Sequence, residues 1–115
     1  MVNMNENVPN YKDITVDQAR DMILDNNDST VVLDVRNPDE YAKGHIKYSM
    51  NINVYLYDFK QRAASIPKDK SIIVHCEHGA RSKIASNILL MCGFRKVYNM
   101  LGGFDEWKKR KFKME

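Results

Sequence analysis

Cys76 is the side chain in this sequence best placed to act as a nucleophile. It follows the strand-like run Ser71-Ile72-Ile73-Val74-His75 and precedes Glu77-His78-Gly79-Ala80-Arg81-Ser82, a tight loop leading into a helical pattern. Backbone N–H groups in such a loop point inward, and the following helix adds a partial positive charge. Both favour a thiolate over a thiol. Gly79 allows backbone angles that other residues resist. Arg81 adds a fixed cation with planar donors suited to an oxyanion. A cysteine so placed attacks an anionic or electrophilic substrate; the competing reading is a small apolar residue capping a core strand.

The elements around it are legible from periodicity. Ile72-Ile73-Val74 reads as a strand buried on both faces, as parallel sheets require. Ser82 to Met91 reads as a helix with Ile84, Ala85, Ile88, Leu89 and Cys92 on one buried stripe, and Gly93 closes it. Upstream, Tyr11-Lys12-Asp13-Ile14 reads as a short edge strand. Thr15-Val16-Asp17-Gln18 matches a capping box, with Ala19, Met22 and Ile23 continuing the helical face up to Asn26. Val31 to Val35 is the clearest strand, followed by a turn in which Pro38 suits the first helical position before Glu40 and Tyr41. Asn51 to Val54 reads as a short strand, Tyr55 to Ala64 as a helix and Lys96 to Met100 as a strand. Asp105 to Lys111 reads as a last helix with Trp107 inward, and the pair Gly102-Gly103 lets backbone pass close to something. Alternating strands and helices predict an α/β fold, a small open parallel sheet with helices on both faces. Such sheets bind ligands beyond the carboxyl ends of their strands, where Cys76 falls.

Composition sets the class. The chain has 115 residues, 43% of them hydrophobic and 29% charged, which fits one soluble domain. Residues 1–10 are expected to be disordered or loosely attached, and 11–115 to form the domain. No apolar run approaches a membrane span, and the first residues lack a signal-peptide core, so a cytoplasmic location is expected. Two cysteines, Cys76 and Cys92, are too few for a disulfide framework. His75, Cys76 and His78 alternate around a strand end, which disfavours a metal site, and no cofactor is called for. Five of the basic residues behind the net charge of +3 lie between Lys108 and Lys113. With no aromatic platform beside them, they read as a solvated helix end and not as a nucleic-acid surface.

Three separated stretches together resemble a single-domain rhodanese, a thiosulfate sulfurtransferase-like family. Leu33-Asp34-Val35-Arg36 through Glu40-Tyr41 and Gly44-His45-Ile46 to Asn51-Ile52 resembles its N-terminal signature. Cys76 to Arg81 resembles its six-residue active loop. Val97-Tyr98-Asn99-Met100-Leu101-Gly102-Gly103-Phe104 through Trp107 resembles its C-terminal signature. The resemblance implies a rhodanese-like fold and a Cys76 that becomes a persulfide. The sulfane sulfur would come from thiosulfate or a related small anion and pass to a thiol, cyanide or protein acceptor. Glu77, His78, Gly79, Ala80, Arg81 and Ser82 would bind the donor, with Asp34 and Arg36 in support. As purely structural groups, Arg36 would pair with Glu40 and His45 would tie loops together. His75 would face away from Cys76 by strand alternation.

Two departures stand out. Lys47, Tyr48 and Ser49 replace the proline, glycine and alanine common after the Gly-His-Ile turn, and Glu77 sets a negative charge beside the nucleophile, which disfavours a dianionic donor. His78 would offset it when protonated. The alternatives are a non-catalytic binding module of the same fold and a phosphatase or arsenate reductase of the related fold. Only four residues separate Cys76 from Arg81, a loop that suits one sulfur atom better than a tetrahedral phosphate.

Overall fold

The computed structural model describes residues 10–26 and 28–115. Most of the segment expected to be disordered, residues 1–9, lies outside the described residues. In chain order the elements are β1 (Lys12–Ile14), α1 (Val16–Asp25), β2 (Thr30–Asp34), α2 (Pro38–Lys43) and β3 (Met50–Asn51), then α3 (Phe59–Ala63), β4 (Ser71–His75), α4 (Ala80–Met91), β5 (Val97–Met100) and α5 (Gly103–Lys109). The strands form one sheet in the order β1-β5-β4-β2-β3, every pair parallel.

Alternation along the central strands splits the core into two layers. Ile72 and Val74 of β4, with Leu33 of β2, pack beneath Phe59, Ala63, Ala85 and Leu89 of α3 and α4. Ile73 and Val32 face the other way, against Val16 and Ala19 of α1 and Phe104 and Trp107 of α5. The sheet is therefore covered by helices on both faces. The chain leaves β2 for β3 on one side and β4 for β5 on the other. The crevice between those departures, at the carboxyl ends of β2 and β4, is the ligand position of an open parallel sheet.

Caps begin the helices where the sequence places them. Thr15 and Gln18 form the predicted capping box. Asn37 and Glu40 form a second, with Pro38 at the first turn of α2. Gly93 follows the Cys92 C-cap with φ +98°.

Three expectations need correction. The helix expected from Tyr55 is confined to Phe59–Ala63, because the Asn53 side chain accepts the Tyr55 N–H (3.0 Å) and its carbonyl accepts the Leu56 N–H (3.1 Å), so successive turns consume that stretch. The strand expected over Asn51–Val54 is only Met50–Asn51. On α4 the buried residues are Ser82, Ala85, Ser86 and Leu89, whereas Ile84 is 48% exposed. Both serine hydroxyls are satisfied locally, Ser82 by the Gly79 carbonyl (3.1 Å) and Ser86 by the Ser82 carbonyl (2.8 Å), so small polar residues occupy the helix face against the sheet.

The basic tail is tied into the fold. Arg110 pairs with Asp17 (2.7 Å) and Lys109 with Asp105 (3.2 Å). Glu115 exchanges both backbone hydrogen bonds with His45 (2.7 and 2.9 Å), and the His45 ring bonds the Tyr41 carbonyl (2.8 Å). His45 thus ties loops together, as expected.

Candidate active site

Cys76 lies one residue beyond β4, on the α3/α4 side of the sheet. Its Sγ accepts the Gly79 N–H at 3.0 Å and stands 3.6 Å from Ser82 Oγ. Gly79 has φ +134°, in the region that favours glycine, and a Cβ there would meet nothing within 4 Å. The loop is therefore open to solvent at the residue whose amide holds the sulfur. The helix begins at Ala80, two residues earlier than periodicity predicts, so that amide belongs to the N-cap of α4.

Two expectations about this loop change. A cysteine placed to attack a substrate is expected, but Cys76 is only 1% exposed and packs with the core layer of α3 and α4. A ring of amides is expected, but among the described residues Gly79 is the one amide that donates to the sulfur. Contacts to the loop carbonyls set the direction of the Glu77 and His78 amides.

Those contacts come from α5. Phe104 N–H donates to the Cys76 carbonyl (2.8 Å) and Asp105 N–H to the Glu77 carbonyl (3.1 Å). Because N–H and C=O of a trans peptide point in opposite directions, the same contacts aim the Glu77 and His78 amides away from α5. Gly103 makes the approach possible: a Cβ there would stand 2.5 Å from both carbonyl oxygens. His75 adds a third donor. Its Nδ1 lies 3.0 Å from the Cys76 carbonyl, which can only accept, so Nδ1 carries the proton. Nε2 is then a buried lone pair without a partner, 3.7 Å from Asp34. Burial holds His75 below its usual range, against the opposing pull of Asp34.

Asp34 and Arg36 lie on the face opposite Cys76, where β2 register sets Asp34 beside His75. Arg36 Nε and Nη2 fork onto the Asp34 carboxylate (2.9 and 2.7 Å). Nη2 also donates to the Gly44 carbonyl (2.8 Å), and the guanidinium lies 4.4 Å from the Phe104 ring centre. The Arg36–Glu40 pair expected from sequence does not form. Arg36 instead reaches Glu77 at 3.6 Å, so it is Arg36, not His78, that faces the charge beside the nucleophile. His78 is 77% exposed along its side chain and points to Asp105 (3.9 Å). Ala80 is also exposed.

Glu40 takes the other arginine. Arg81 Nη1 and Nη2 meet Glu40 Oε1 and Oε2 at 2.6 and 2.9 Å. The hydrogen bonds from Arg81 hold the Glu40 carboxyl down to about 2, against the burial that would raise it, and Glu40 in turn holds Arg81 above its usual range. A cavity of about 180 Å³ runs beside the loop, lined by Arg36, Glu40, Glu77 and Phe104 among others, but not by Cys76.

A family model for the rhodanese-like domain matches residues 15–110. The chain belongs to the rhodanese-like family. Thiosulfate sulfurtransferase GlpE of Coxiella burnetii is 31% identical over 99 residues, covering 85% of this chain and 88% of that protein. GlpE of Stutzerimonas stutzeri is 37% identical with 85% of each chain covered. The crystal structure of a rhodanese-related protein from Thermoplasma volcanium superposes with a TM-score of 0.77 at 28% identity, covering 91% of this chain and 98% of its own. The rhodanese-like domain of an Anabaena protein, solved in solution, gives 0.80 at 26% identity over 90% of this chain and 77% of its own.

Within this rhodanese-like site, sequence reasoning missed Glu40 as the partner of Arg81 and His75 as a donor to the Cys76 carbonyl. A signal existed for Glu40. Asn37-Pro38-Asp39-Glu40 is a capping box at the carboxyl end of β2, which puts its glutamate at the crevice shared with the β4 loop.

Proposed function

We propose that the protein is a sulfurtransferase that carries a sulfane sulfur as a persulfide on Cys76. One observation supports this most: the Gly79 N–H aimed at Sγ from 3.0 Å, at the mouth of a helix, in a loop open at that glycine. An amide donor there can stabilise charge on the sulfur as it attacks and as the persulfide forms. The thiolate attacks the outer sulfur of the donor. A bond forms between Cys76 Sγ and that sulfur, the donor's own bond to it breaks, and the leaving group departs with the electron pair. From thiosulfate the leaving group is sulfite. An acceptor thiolate, cyanide or a protein cysteine then attacks the outer sulfur of the persulfide and restores the Cys76 thiolate.

The Glu77–Ser82 backbone is the donor cradle in this reading, Ser82 Oγ an acceptor for the Cys76 thiol proton, and Asp34 and Arg36 a support acting through Glu77. Cys76 is 1% exposed, so sulfur uptake requires the loop around Sγ to admit the donor. The same burial favours a second reading, a binding module of the same fold in which Cys76 only packs. Transfer to cyanide separates them: thiocyanate formed from thiosulfate or a cysteine hydropersulfide, and lost in Cys76→Ser, is expected. A folded protein that transfers sulfur from neither donor is a binding module.

A further inference from the structure

Arg81 is the one permanent cation of the loop, and its two terminal nitrogens are already spent on a carboxylate. That carboxylate is itself fixed. Glu40 Oε1 accepts the Asn37 N–H (3.2 Å) and Glu40 N–H donates to Asn37 Oδ1 (2.9 Å), so the capping box of α2 holds the glutamate where it meets Arg81. Both side chains are mostly shielded, 21% and 28% exposed, which keeps the pair from dissolving as a surface ion pair does. The other buried guanidinium, Arg36, is held by Asp34 behind the strand.

We infer that Glu40 is a specificity-determining residue: by latching Arg81 it turns the site away from thiosulfate and towards hydropersulfide donors. The inference rests on the persulfide chemistry proposed above. A thiosulfate donor enters with two negative charges and leaves as sulfite, still with two. Its distal sulfonate needs a free cation both to bind and to depart. Arg81 offers none until Glu40 lets go. A hydropersulfide RS–SH makes no such demand. Cys76 thiolate attacks the terminal sulfur, the RS–S bond breaks, thiolate RS⁻ leaves with one charge, and Cys76–S–SH remains. Glu77, on the same loop, adds to the bias against the dianion, since Arg36 Nη1 faces its Oε2 only from 3.6 Å, beyond hydrogen-bond distance.

The test compares second-order rates of sulfur uptake by Cys76 from thiosulfate and from cysteine hydropersulfide, in the native protein, Glu40→Gln and Glu40→Asp. Glutamine keeps the capping box and removes the charge; aspartate keeps the charge. In the native protein the hydropersulfide should react at least about tenfold faster, the size expected from one engaged charge-assisted contact. In Glu40→Gln the ratio of thiosulfate to hydropersulfide rates should rise by about tenfold or more, and in Glu40→Asp it should move less. A merely structural role would slow both donors together and leave the ratio alone. A native protein that prefers thiosulfate overturns the inference, as does a folded Glu40→Gln with the native ratio. Uptake from neither donor in the native protein would instead overturn the proposed function.

Discussion

Gly103 and Cys76 are in backbone contact: a Cβ built on Gly103 would stand 2.5 Å from the Cys76 carbonyl oxygen. The glycine has φ +60°, and its absent side chain is what lets the first turn of α5 donate to the carbonyls of Cys76 and Glu77. Gly103→Ala should therefore displace the loop as well as strain α5. A stability loss of about 2 kcal/mol or more is expected from the left-handed backbone and the backbone clash together. Urea denaturation reads the stability. The rate of Cys76 alkylation in the folded variant reads the loop, and it should differ from native by more than the change in unfolded fraction explains.

Asp34 is the counter-charge of an arginine sealed beneath the sheet crevice. Asp34→Ala leaves Arg36 buried and short of a partner, at a cost of about 3–5 kcal/mol by chemical denaturation. Asp34→Asn, which keeps acceptor oxygen for the guanidinium, should cost clearly less. Equal losses in the two variants would mean that the charge pairing contributes little.

Two side chains set separate windows of acid sensitivity. Glu40 is held down to about 2 from 4.5 by its hydrogen bonds to Arg81, so its stabilisation is complete above 4.5 and is lost as pH falls towards 2. His75 is a base held below 6.5 by burial, so the unfolded chain takes up its proton first and stability declines as pH falls below 6.5. The stability gap between native protein and Glu40→Gln should thus be constant above about pH 5 and close below it. Denaturation curves at stepped pH check this; a gap as large at pH 2 as at pH 6 contradicts it.

Tyr48 occupies the turn after Gly44-His45-Ile46 with φ +68°, while its ring is 86% exposed. The departure from proline-glycine-alanine noted in the sequence thus puts a bulky residue where the backbone favours glycine. Little packing is lost on replacing it, so Tyr48→Gly should raise stability by about 0.5–1 kcal/mol. Thermal denaturation reads the gain, and a lower Tm would mean that the exposed ring contributes more than its backbone costs.

How much was legible in the sequence follows the range of each signal. Continuous apolar runs located β2 and β4 and the 3.6 period located α1, because burial on both sheet faces or along a helix stripe is a local property of the sequence. The capping box at Thr15 and the close approach at Gly102-Gly103 were legible for the same reason. Side-chain pairing across the crevice was not. Glu40 and Arg81 are 41 positions apart, and Arg36 was an equally good partner until the alternation of β2 turned it towards Asp34, behind the strand. Exposure was misjudged at Cys76 and Ile84 because a loop's lean and a helix's roll are set by tertiary packing. The pair Ser82 and Ser86 illustrates this, since local hydroxyl bonds let them occupy a face that apolar periodicity assigns to Ile84.

Sulfur transfer by this protein requires that Cys76 carry sulfur. Intact-mass measurement of the native protein after incubation with cysteine hydropersulfide should show a gain of about 32 Da, one sulfur atom, reversed by a thiol reductant. Peptide mapping should place it on Cys76 and leave Cys92 unmodified. A folded protein with no gain, or with the added sulfur on Cys92 alone, would mean that Cys76 is not a sulfur carrier.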